Sequence, residues 1–173
     1  MSSLNKGLER VEVGLMWDPS PAGSVPHDLD LVAATYTEDA PSGAPAYLVH
    51  FDSRSPDGTI TLSRDSRDGK GLGVDELLIL ELDRLAHRYV RVVVGVAIQQ
   101  HNGRLTFAGI AHPAVRIRNR HDELAAVDFT EVGEATAARV AEFVRDDSGA
   151  WGFHAGVFGF DADPATFVTV MGS

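Results

Sequence analysis

A chain of 173 residues with a hydrophobic share of 44% has enough apolar side chains to bury a sizeable core as one domain. Its net charge of −10 argues against a nucleic-acid partner and suits cations or basic surfaces. With no cysteine, the chain has no disulfides, no zinc–thiolate site and no thiol for redox work.

The elements follow in order. Val11, Val13, Leu15 and Trp17 alternate with Glu12, Gly14 and Met16 and predict a first strand. Asp18 to Ser24, rich in Pro and Gly, breaks it. A second strand runs from Asp28 to Tyr36, and both its faces are apolar beyond Asp30, so its middle should be covered on both sides. Ala46 to Phe51 reads as a third strand. Ser55-Pro56-Asp57-Gly58 is a turn, and Thr59 to Leu62 is a short strand leading into a charged loop. Leu77 to Leu82 is a buried strand, followed by a helical turn at Asp83-Arg84-Leu85. Tyr89 to Ile98, rich in β-branched residues, is the strongest strand and should be central. Asn102-Gly103 is a two-residue hairpin signal, which predicts that 104–110 pair back onto 89–99. Val115 to Arg118 and Leu124 to Phe129 are further short strands. At 135–145, Ala137, Val140, Ala141 and Val144 follow helical spacing, so the residues themselves favour a helix there. Asp163-Pro164 is a helix start, with Asp as cap and Pro in the first position. The sum is a mainly β chain: a two-sheet β-sandwich with short peripheral helices, one domain over 1–173. Met1 to Gly7 has no apolar signal core, and no run approaches the roughly 18 apolar residues of a membrane span. A cytoplasmic location is expected.

The chemistry concentrates in two stretches. Asp28 and Asp30 share one face of their strand with Val32, Ala34 and Tyr36, so two carboxylates lie at the end of an apolar face. Like charges held close and partly buried need a positive partner. The loop 63–76 offers Asp65, Asp68, Asp75 and Glu76, with Gly69, Gly71 and Gly73 to let the backbone turn. Hard oxygen donors from two segments favour calcium over zinc or copper. The plainer reading is a solvated charged turn, since Arg64, Arg67 and Lys70 supply counter-charges. The loop lacks the roughly 12-residue EF-hand ligand pattern, and Gly69-Lys70-Gly71-Leu72-Gly73 is not a phosphate loop. No Gly-x-Ser-x-Gly elbow is present, and the seven histidines show no metal-pair spacing.

These stretches carry a resemblance. Leu4-Asn5-Lys6-Gly7, Val13 to Asp18, His27-Asp28-Leu29-Asp30-Leu31, Phe51-Asp52-Ser53, Ser55-Pro56-Asp57-Gly58 and the Asp65 to Glu76 loop resemble the TerD family of tellurium-resistance and stress proteins. So do Val115 to Asn119, Asp122-Glu123-Leu124 and Trp151-Gly152-Phe153, in the family's order along almost the whole chain. The resemblance implies a β-sandwich that binds calcium at its acidic loops, with no known catalytic reaction. It implies a strand at 135–145, paired with one at 150–160, and we adopt the strand there. The candidate metal set is Asp28, Asp30, Asp65, Ser66, Asp75 and Glu76; Asp68 stands where the family more often has Thr. The expected function is a non-enzymatic calcium-binding module of a tellurium-resistance or stress-response system, its metal ordering acidic loops that dock protein partners. The alternative is a metal-dependent enzyme acting on phosphoesters or oxyanions. Neither a dedicated general base nor a thiol supports the alternative. The loop also departs from the family: Arg64-Asp65-Ser66 replaces a Gly-Asp-Asn start, and Val74 replaces a carboxylate at its end. Four acids against three bases leave 63–76 at −1, and Asp28 and Asp30 bring the site to −3, short of the +4 of two Ca²⁺ ions. One strong site at most is expected.

Overall fold

Alternation along the strands sets the architecture. Val11, Val13 and Leu15 of β1 (Arg10–Met16) face one way and are fully buried. Leu29, Leu31 and Ala33 of β2 (Leu29–Thr37) meet them from the opposite sheet. The computed structural model describes residues 7–64, 69, 73–101 and 103–173. The other strands are β3 (Tyr47–Val49), β4 (Ile60–Arg64), β5 (Glu76–Glu81), β6 (Tyr89–Ile98), β7 (Ala114–Asn119), β8 (Asp122–Asp128), β9 (Ala137–Arg145) and β10 (Trp151–Phe160). They form two antiparallel five-stranded sheets, ordered β4-β5-β1-β7-β8 and β10-β9-β6-β2-β3. The main core lies between them, as two apolar inner faces require.

The second sheet is covered on its outer side too. Val32, Ala34 and Tyr36 of β2 and Val93 and Ala97 of β6 pack against Phe167 and Met171. Phe167 belongs to the short helix α1 (Pro164–Val170), started by Asp163, whose carboxylate accepts from the Thr166 N–H at 2.8 Å, and by Pro164. This cover is why β2 reads as apolar on both faces. It depends on Gly95, where a Cβ would stand 2.5 Å from Phe167 Cζ and 3.0 Å from the Ala138 carbonyl. Gly95→Ala is therefore expected to push α1 off the sheet and cost roughly 1–3 kcal/mol by overpacking. Urea unfolding checks this, and an unchanged midpoint would contradict it.

Two sequence expectations meet the structure differently. Asn102 lies outside the described residues; among these, 104–110 pair with no strand, against the expected return onto 89–99. Both edges of β6 are already taken, one by β2 and the other by β9. The Gln100 side-chain amide instead accepts from the Leu105 N–H at 2.6 Å and donates to the Leu105 carbonyl at 2.9 Å. The chain then crosses to the other sheet, with Phe107 in a short 3-10 turn stacked on Phe129 at 4.3 Å. The segment 137–145 is a strand, β9, despite its helical spacing. Its pairing with β6 shifts between Val94 and Gly95, opposite Ala141 and Arg139, which leaves Val140 as an extra residue. That bulge breaks the alternation, so Ala138, Val140, Ala141 and Phe143 all reach the core.

Candidate metal centre

The two strand starts that carry the acids come from different sheets. Asp28 immediately precedes β2 and Asp30 is its second residue, held in register against Ala97 of β6. The Asp28 carbonyl accepts from the Gln99 N–H at 2.9 Å, extending that ladder by one bond. Glu76 opens β5 in the facing sheet. Its carboxylate crosses to β2, where Oε1 accepts from the Leu31 N–H at 2.7 Å. The neighbouring strand β3 pairs only with Ala33 to Thr35, so Leu31 lies beyond its reach and Glu76 satisfies the donor.

Asp28, Asp30 and Glu76 thus converge, each offering a carboxylate oxygen within 4.8 Å of the others. Glu76 is fully buried, Asp30 is 5% exposed and Asp28 is half-buried. Asp30 also accepts from the Gln99 side-chain amide. Three carboxylates at this spacing repel one another, and burial strengthens the repulsion by lowering the local dielectric. Positive charge relieves such repulsion, and a hard divalent cation is one group that oxygen donors at this spacing could hold.

Asp75 takes a different position. Next to Glu76 in an extended segment, its side chain points the other way. Its Oδ2 accepts from the Trp17 N–H at 2.9 Å, while its own N–H donates to the Leu15 carbonyl at 2.8 Å. Asp75 therefore ties the end of the acidic loop to the end of β1, outside the triad. Asp65 and Ser66, and with them Asp68, lie outside the described residues.

Three further residues take up a positioning role that the sequence did not assign them. Gln99 reaches Asp30 from the end of β6. Trp17 is buried, and its indole N–H donates to the His27 carbonyl at 3.0 Å, one residue before Asp28. Gly69 of the acidic loop is buried against the same indole, where a Cβ would stand 2.6 Å from Trp17 Nε1, and its φ of 75° suits glycine. Trp17 thus holds the loop, Asp75 and the approach to Asp28 together. The available signal was the position of Gln99 opposite Asp28, in the antiparallel register that follows from pairing β2 with β6.

Fold and site define a mainly β sandwich with a largely buried triad of hard oxygen donors spanning its two sheets. The TerD domain matches residues 1–169, and the chain belongs to the TerD family of tellurium-resistance and stress-response proteins. It is 53% identical to a homologue of telluride resistance protein (TerD) from Streptomyces coelicolor A3(2), whose crystal structure superposes with a TM-score of 0.94 over 96% of this chain and 99% of that one. It is 27% identical to tellurium resistance protein TerD of an Alcaligenes species, over 92% of this chain and 85% of that protein. General stress protein 16U of Bacillus subtilis is 25% identical, over 99% of this chain and 92% of that protein. Among the described residues, no helix is long and apolar enough to cross a membrane.

Proposed function

We propose that this chain is a non-enzymatic, calcium-binding module of a tellurium-resistance or general stress response, working in the cytoplasm. Calcium is held by Asp28, Asp30 and Glu76, with Asp65 and Ser66 of the acidic loop completing its shell. The metal orders that loop into a surface that docks a protein partner. The observation that supports this reading is the convergence of three carboxylates from two sheets within 4.8 Å. Calcium prefers about six to eight oxygens, so a triad needs further oxygens from the loop or from water. The Leu31 N–H and the Gln99 amide donate to Glu76 and Asp30 and orient their carboxylates.

A ligand that binds the folded state alone stabilises it by about 2.7 kcal/mol at a hundredfold excess over Kd. The melting temperature should therefore rise in calcium relative to chelator, and Asp30→Asn should abolish the rise. Coincident melts of the unmodified protein in calcium and in chelator would refute the reading.

A further inference from the structure

The strands β3 and β4 are the edge strands on one side of the sandwich, and the chain crosses from one sheet to the other between them. A cleft of about 450 Å³ lies along that crossing, within the range of small-ligand sites. Its walls are two fixed turns. His50 and Ser53 exchange both backbone hydrogen bonds, at 3.0 and 3.1 Å, and close a tight hairpin with Phe51 at its tip. The Ser55 hydroxyl donates to the Ile60 carbonyl at 2.9 Å. Asp57 Oδ1 accepts from the Thr59 N–H at 3.1 Å and from its hydroxyl at 2.7 Å. Walls held in this way need little ordering when a ligand binds. Buried Val49 and Ile60, half-buried Leu62 and Phe51, 52% exposed, give the cleft its apolar lining.

The charge in this lining has one sign. Arg54, between the two turns, lines the cleft, and no Asp or Glu is among the described residues that do. Arg91, Arg104 and Arg120 are paired with carboxylates. Arg54 is exposed and has no hydrogen bond or ion pair with the described residues. Asp52 and Asp57 flank it in sequence, yet neither lines the cleft. His50 also lines it; its Nδ1 accepts from the Asp52 N–H at 3.2 Å, which leaves Nε2–H as a donor. A guanidinium presents a planar fork that matches a carboxylate two bonds at a time. One arginine offsets one negative charge, which suits a monoanion better than a phosphate dianion.

We propose that this cleft is a binding site for a small organic monocarboxylate with an aromatic or aliphatic body. The carboxylate pairs with Arg54, and the body lies against Phe51 and Leu62. The site uses none of the triad's carboxylates, so it stands apart from the calcium reading.

The test is calorimetric titration in chelator at neutral pH with 3-phenylpropionate. Its neutral and cationic counterparts, 3-phenylpropan-1-ol and 2-phenylethylamine, are titrated beside it, as is phenyl phosphate. The carboxylate should bind at one site, with the alcohol and the amine at least about tenfold weaker and phenyl phosphate no tighter. The net charge of −10 disfavours anions in general, so this preference has to come from the cleft itself. Arg54→Gln, at an exposed side chain, should weaken the carboxylate at least about tenfold and bring it level with the alcohol. Phe51→Ala should weaken the carboxylate and the alcohol alike. Equal affinity for carboxylate and alcohol in the unmodified protein would overturn the proposal in favour of a merely apolar cleft. So would carboxylate affinity unchanged in Arg54→Gln, tighter binding of phenyl phosphate, or no heat with any of the four. Carboxylate binding that fails while calcium still titrates sinks this site alone; the reverse result sinks the calcium reading alone.

Discussion

Glu76→Ala is expected to be the most damaging single substitution at the site. In chelator, it leaves the Leu31 N–H without its carboxylate acceptor inside the protein, at a cost of about 1–3 kcal/mol. In calcium it also removes one corner of the triad, so the metal's stabilisation of about 2.7 kcal/mol at a hundredfold excess is lost as well. The combined loss in calcium is then about 4–6 kcal/mol. Glu76→Gln separates the two effects. Its amide oxygen can still accept from Leu31, so stability in chelator should fall little, while the gain from calcium should disappear. Urea unfolding of both variants, with and without calcium, measures this. Equal stability of the two variants in chelator would remove Glu76's role as the acceptor that joins the two sheets.

Asp75→Ala should be costly for a different reason. It strips the acceptor from the buried Trp17 N–H and loosens the residue against which Gly69 packs and to whose indole the His27 carbonyl is bonded. A loss of about 1–3 kcal/mol is expected in chelator and calcium alike. Asp75→Asn keeps an acceptor for Trp17 and should hold calcium affinity within about tenfold, whereas Asp30→Asn should abolish binding. Calcium titration of the two asparagine variants decides it. If Asp75→Asn loses calcium as completely as Asp30→Asn, Asp75 is a ligand and its bond to Trp17 is secondary.

These two acids show where sequence reading succeeded and where it stopped. Asp28 and Asp30 could be placed on one face because the apolar run after them fixes the phase of β2. Glu76 could be named as acidic and near a strand start, but nothing local says that it bonds to Leu31 in the other sheet. Asp75 was named with Glu76 as a metal candidate of the acidic loop, but nothing local announces that its Oδ2 accepts from the Trp17 N–H. Asp163 and Pro164 announced α1 because a capped helix start is a local event. Asn102-Gly103 misled for the converse reason. A turn signal is local, whereas pairing needs a free edge, and β6 has none left. The segment 137–145 spelled a helix because its bulge puts Val140 and Ala141 on the same side. The family resemblance, not the spacing, recovered the strand. Gln99 and Trp17 were read only as strand residues; their polar atoms acquire a role only when β1, β2 and β6 are brought together.

The central claim is that the carboxylates of Asp28, Asp30 and Glu76 form a calcium site. Calorimetric titration of metal-stripped protein with Ca²⁺, repeated on Asp30→Asn and Glu76→Gln, tests it most directly. The account predicts one strong site per chain in the unmodified protein, any second site weak, and no strong site in either variant. No heat of binding in the unmodified protein, or a strong site that survives both substitutions, would contradict it.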